Sequence, residues 1–346
     1  MSDLSRREFF RKTGAGAAAL TLMAAKVAEL KANPLGLPIG SQTYPHRLRI
    51  QCGDFAGLLK DMKGIGIDVI ELCNPTYREF ASLADGKATR KILDDHGMKA
   101  VSAHFGMGSL RTDQQKQIDW ALETGMVMMS TADLGGRVVN GVTTEDEVKR
   151  AAYEYNKIAE NAKRNGLQQI LHNETFADSR LEDGRLTYPV LLEYLDSDLV
   201  KMQFQMSSMP TIGSPITYFM NHPGRFMSAH LQGVDASAGM RAAGPGMLPT
   251  KSEGGAGGRG GRGGAGRGGR GPATDPCAAQ PAPAAGAAPA AGRAALPGGP
   301  GLALGEDSVD WPAVFAAGKV GGLKYAFVEQ TWDLTAKSVA YLKTLS

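Results

Sequence analysis

The chain has 346 residues, 42% hydrophobic, with 38 Lys/Arg against 35 Asp/Glu. That is enough apolar content for a large core, and it excludes a wholly disordered chain. The net charge of +3 is uneven. Residues 1–32 carry six basic and three acidic groups and residues 239–304 seven and two, leaving 25 basic and 30 acidic in a mildly acidic body.

The N-terminus reads Ser5-Arg6-Arg7-Glu8-Phe9-Phe10-Arg11-Lys12, followed by an Ala-rich apolar stretch to about Ala25. An Arg pair ahead of a short apolar run predicts a twin-arginine export signal over 1–32 and a periplasmic protein that engages that export machinery. Leu30-Lys31-Ala32 is a poor cleavage site, which leaves an uncleaved membrane tether open. Three cysteines, Cys52, Cys73 and Cys277, do not suggest a disulfide framework, and their odd number leaves at least one unpaired within the chain.

From residue 35 onward short apolar runs alternate with helical patterns. Strands are expected at Ile39–Tyr44, Asp68–Leu72, Ala100–Phe105, Met126–Thr131, Leu167–His172, Leu199–Met206, Phe226–Leu231 and Tyr325–Glu329. Helices are expected at Phe55–Gly64, up to His96-Gly97, at Gln114–Gly125, Glu145–Asn165, Pro189–Leu195, Pro215–Met220, Val309–Gly318 and Thr335–Leu345. Eight strand–helix units in succession predict a (β/α)8 TIM barrel over 35–346. Chemistry in such a barrel sits at the C-terminal strand ends. The stretch 239–304 interrupts the seventh unit. It is Gly/Arg-rich, then Pro/Ala-rich, and predicts a disordered insertion. Nucleic-acid binding by it is disfavoured, because no aromatic residues interleave its arginines.

Several phrases resemble xylose-isomerase-like barrel proteins of the sugar phosphate isomerase/epimerase group. They are His172-Asn173-Glu174-Thr175-Phe176-Ala177-Asp178, Asp198 through Met206, His222-Pro223-Gly224-Arg225-Phe226 through Gly233, and Gly305 onward to Phe327-Val328-Glu329-Gln330. The resemblance covers roughly 36–235 and 305–346. It implies a small-molecule sugar ligand and one divalent cation (Mn, Mg, Co or Zn) held by Glu, Asp, His and Glu on strands five to eight. His230 and Glu329 match that pattern. Gln205 replaces the Asp, and the strand-five Glu falls on Ala177. Either Glu174 or His172 could supply the missing strand-five ligand; Glu174 is the better substitute, so the expected metal set is Glu174, Gln205, His230 and Glu329. Gln232-Gly233 stands where a Lys-Asp is usual.

The resemblance further implies proton abstraction next to a carbonyl, with Glu329 and Glu174 as the catalytic carboxylates. Glu71, His104, His172 and Trp332 are expected to contact the sugar. The expected function is an exported isomerase or epimerase acting on a non-phosphorylated sugar or keto-sugar. A keto-glycoside lyase and a catalytically decayed sugar-binding or partner subunit are the alternatives. The sequence leaves the oligomeric state open.

Overall fold

The computed structural model describes residues 36–174, 176, 178–234, 277 and 301–345. The expected export signal, Ala177 and nearly all of the Gly/Arg-rich insertion lie outside the described residues. Eight parallel strands close into a barrel in chain order: β1 Ile39–Gln42, β2 Val69–Cys73, β3 Lys99–His104, β4 Met128–Thr131, β5 Gln168–His172, β6 Val200–Gln205, β7 Phe226–Leu231 and β8 Tyr325–Val328. β8 returns to β1 with Gly40 opposite Phe327. A Cβ on Gly40 would lie 2.6 Å from the Ala326 carbonyl oxygen, so only glycine permits this close approach of β1 to β8.

Helices cover the outside, as the 3.6-residue patterns predict. The helix Glu145–Arg164 begins at Thr144, whose hydroxyl accepts from the Glu147 amide, and ends with Lys163 and Arg164; cap and charges suit the helix dipole. The expected helix at Gln114–Gly125 is longer, Met107–Thr124, with a break at Asp113. The Asp113 carboxylate accepts from the Lys116 amide. It therefore caps the second half, whose start the sequence marks.

Inside the barrel the two-residue strand period separates two layers. Val69, Val101, Met128, Ile170 and Phe327 form an apolar floor. Two positions further along four of these strands stand Glu71, Ser130, His172 and Glu329, all buried. The barrel is therefore plugged by hydrocarbon below and lined by polar groups at the C-terminal mouth.

Two expectations change. The insertion was placed as far as residue 304, but its return is ordered by Leu302. Leu302 pairs antiparallel with Gly233, its carbonyl accepts from Gln330 Nε2 at 2.7 Å, and Ala303 and Leu304 are buried. Leu-Ala-Leu in a low-complexity context hides this anchoring, since the partners come from distant segments. The cysteines also pair: Cys52 and Cys277 form a disulfide, while Cys73 is free and buried. With the partners 225 positions apart in the sequence, spacing carries no sign of it. Among the described residues no helix is long and apolar enough to cross a membrane.

His46, after β1, is buried with its Nε2 lacking a hydrogen-bond partner, and its ring meets the edge of Trp332 at 5.8 Å. Burial, then Arg49, lowers its pKa to about 4. The neutral form is favoured in the folded chain, so the stabilisation is present above the unfolded value near 6.5 and lost as pH falls towards 4. Urea unfolding should show His46 contributing about 3 kcal/mol of lost stability across that window. His46→Leu should flatten the slope there, and an unchanged slope would exclude His46 as its source.

Candidate functional site

The polar layer converges at the mouth. Glu71 on β2 is fully buried, and its carboxylate meets His230 Nε2 and lies 3.2 Å from His104 Nε2. Gln203 on β6 supports it, donating from Nε2 to both Glu71 oxygens at 3.0 and 3.3 Å. The Gln203 carbonyl in turn accepts from the Ser130 hydroxyl at 3.0 Å and lies 3.3 Å from His104 Nε2.

The far edge of the His230 ring faces different groups. Its Nδ1 lies 3.1 Å from Glu329 Oε2, and that oxygen also accepts from Gln205 Nε2 at 3.1 Å and Gln232 Nε2 at 3.0 Å. His230 thus stands between two carboxylates, Glu71 on Nε2 and Glu329 on Nδ1. His172 completes the cluster. Its ring centroid is 4.4 Å from that of His230 and 5.2 Å from that of His104. His104 and His230 stack with their planes 8° apart.

The electrostatics follow from this packing. Burial alone would raise the Glu71 carboxyl, but the imidazoles of His104 and His230 outweigh it and hold it well below the usual range. Burial alone would lower His230, but Glu329 and Glu71 raise it to about 10. His172 is lowered, first by burial and then by the charge of His230.

Of the expected metal ligands, Gln205, His230 and Glu329 share one network. Glu174 does not join it closely: its side chain is 46% exposed and its carboxylate lies 3.7 Å from His172 Nε2. Of the expected sugar contacts, Glu71, His104 and His172 are deep in the cluster. Trp332 instead starts the last helix, packed on the core and against His46. Gln203 and Gln232 were missed as site residues. Gln203 carries a readable sign, standing two residues before Gln205 on the same face of β6.

The donors divide in how well they suit a cation. On the Nδ1 side of His230 two carboxamides spend their N–H groups on Glu329, and Gln205 Oε1 is buried without a partner. The Gln205 nitrogen is fixed there because a carboxylate oxygen only accepts. On the Nε2 side Glu71, His104 and His230 offer donor atoms all within 4.8 Å of one another, and all three residues are buried. The metal expectation fits this second group better than the first. Mixed carboxylate and imidazole ligands suit a divalent cation.

No protein-family model matches the chain, and no curated protein does. Solved structures do match, several of them described as xylose isomerase-like TIM barrels or sugar isomerases and epimerases. A sugar phosphate isomerase/epimerase from Parabacteroides distasonis ATCC 8503 is 17% identical with a TM-score of 0.58, over 89% of this chain and 94% of its own. The IolI protein, solved with a bound zinc atom, is 11% identical with a TM-score of 0.56, over 89% and 96%. A xylose isomerase-like TIM barrel protein from Mycobacterium smegmatis in complex with magnesium is 13% identical with a TM-score of 0.51, over 90% and 97%. At such identities the likeness establishes the fold, and function must come from the site.

Proposed function

We propose that the protein is a metal-assisted isomerase or epimerase of a non-phosphorylated sugar or keto-sugar. The observation that carries this reading is the pairing of one donor cluster, Glu71, His104 and His230, with a separate carboxylate, Glu329, held beside it by Gln205 and Gln232. The first group would hold the cation. When bound, a divalent cation supplies Lewis-acid polarisation of a carbonyl.

Glu329 is the base. Its described hydrogen bonds all fall on Oε2. Oε1 takes a proton from the carbon next to the substrate carbonyl. The C–H bond breaks, an O–H bond forms on Glu329, and the electron pair moves to the carbonyl oxygen. Return of the proton to the former carbonyl carbon, with the hydroxyl proton passing from the neighbouring oxygen to the former carbonyl oxygen, gives an isomer. Return to the opposite face of the same carbon, from a second acid, gives an epimer. Departure of a group β to the carbonyl gives a lyase, so that alternative shares the first step. Glu174, beside His172 at the rim, is the candidate second carboxylate. Burial would raise its pKa, but His172 outweighs this and lowers it to about 2, so the proton it delivers must first be taken from solvent. Gln232 leaves no cation at the position where the resembled family carries Lys, which favours an uncharged substrate over a phosphate.

The test is solvent exchange. The metal-loaded protein is incubated in D2O with unphosphorylated aldoses, ketoses and keto-glycosides, and deuterium uptake next to the carbonyl is followed by proton NMR. Exchange with one of them is expected. No exchange with any would favour the decayed, sugar-binding reading.

Export to an oxidising compartment is part of the same proposal. The Arg6-Arg7 signature supports it, and so does the Cys52–Cys277 disulfide, because such bonds persist mainly outside the reducing cytosol. Peptide mapping without reductant, on protein from a periplasmic fraction, should recover the linked pair. Protein confined to the cytoplasm with both thiols free would reject it.

A further inference from the structure

We infer that the mouth of the barrel is a three-histidine, one-carboxylate centre, with His172 joining Glu71, His104 and His230. We further infer that it takes a borderline transition-metal ion such as Zn²⁺ or Co²⁺ in preference to Mg²⁺ or Ca²⁺. The inference rests on the metal-assisted reading above and adds the fourth ligand and the class of ion.

His172 is fully buried, and neither of its ring nitrogens has a hydrogen-bond partner. Its Nε2 has only the half-exposed Glu174 carboxylate near it, 3.7 Å away and beyond hydrogen-bond reach, and a buried imidazole so poorly satisfied calls for a specific reason. A cation gives one here. Its ring centroid lies 4.4 Å from that of His230 and 5.2 Å from that of His104; its nitrogens stand outside the 4.8 Å donor group of Glu71, His104 and His230, so the ring must turn towards them to bind the ion. Its strand position also suits the role. His172 pairs in register with Gln203, the residue whose amide supports Glu71.

The centre expected from the sequence lies on the other edge of His230, and its chemistry has changed sign. There Gln205 and Gln232 aim N–H donors at Glu329, where a cation would need acceptors. On the Nε2 edge Glu71 brings a buried carboxylate and His104 a nitrogen. The ion site has in effect moved across the His230 ring, away from strands β6 and β8 towards β2, β3 and β5.

Ligand type sets the ion. Three imidazoles and one carboxylate match the nitrogen-rich, low-coordinate preference of Zn²⁺ and Co²⁺. Mg²⁺ and Ca²⁺ want six or more oxygens, and Mg²⁺ sheds water reluctantly. The outer partners are those a ligand cluster needs. Gln203 holds Glu71, Glu329 lies at the far nitrogen of His230, and Glu174 lies 3.7 Å from His172 Nε2.

The test uses the full chain, stripped with chelator and dialysed against ZnCl2, CoCl2, MnCl2 or MgCl2. One Zn²⁺ or Co²⁺ per chain should be retained and Mg²⁺ should not. X-ray absorption of the zinc-loaded wild type should count three imidazoles, a readout that needs no variant to fold. His172→Gln should weaken Zn²⁺ binding at least about tenfold and alter the visible Co²⁺ spectrum, with circular dichroism as the fold control. Glu329→Gln, which alters only the outer partner of His230, should weaken binding by no more than about a hundredfold. Two imidazoles in the zinc spectrum would exclude His172, and a single one would put the ion on the Nδ1 edge; either overturns the inference. Retention of Mg²⁺ but not Zn²⁺ would overturn it while leaving metal-assisted catalysis standing. If no divalent ion is retained, the metal-assisted reading itself fails.

Discussion

Glu329→Gln should lower the rate of solvent exchange next to the substrate carbonyl by about 10²–10⁴-fold, the usual contribution of a positioned general base. The side chain is nearly isosteric, so the barrel should survive. With its carbonyl oxygen at the Oε2 position, the new amide keeps the bonds that Gln205 and Gln232 donate at 3.1 and 3.0 Å. Deuterium uptake per bound metal ion, measured by NMR, separates loss of the base from loss of the ion. Exchange at the wild-type rate would remove Glu329 from the reaction and turn attention to Glu174.

Glu71→Ala should have the largest effect on stability. The carboxylate is fully buried against His230, His104 and Gln203. Removing one partner of a buried ionic cluster costs about 3–5 kcal/mol; Glu329 still faces His230 Nδ1, which puts the expected loss at the lower end. Glu71→Gln should cost less, since an amide still meets the Gln203 side chain. Urea unfolding of the metal-free protein reads both.

The pH dependence has a definite sign. The Glu71 carboxyl is lowered by His104 and His230 against its burial. Its stabilisation is therefore complete above the unfolded value near 4.5 and falls away in acid. His230 is raised to about 10 by Glu329 and Glu71, so its share is complete below about 6.5 and fades as pH rises to 10. Glu71→Ala should lose stability most between those limits and converge with the wild type at both extremes. A constant offset at every pH would mean that the loss is packing and not charge.

The site was partly legible because strand ends are legible. His230, Glu329, Gln205, Glu71, His104 and His172 all stand at or beside the ends of apolar runs, and a barrel directs chemistry there. Their roles were not legible. The resemblance makes Glu329 an ion ligand and Glu71 a sugar contact. The geometry sets Glu71 among the donors and Glu329 on the opposite nitrogen of His230. Gln203 was passed over because a glutamine amid a strand gives no sign of its partner 132 residues away.

The sequence by itself determined the barrel. Two-residue and 3.6-residue periodicities are local properties of the chain, and eight repeats of them in order leave few other ways to bury the apolar faces. It also determined which positions face inward, since Ile170 on the floor places His172 at the mouth by alternation alone. Only the tertiary structure decided which nitrogen of His230 meets which carboxylate, that Leu302 closes back on Gly233, and that Cys52 finds Cys277. Each is a pairing between segments far apart in the chain, set by barrel closure and strand register, and a local pattern holds no record of either.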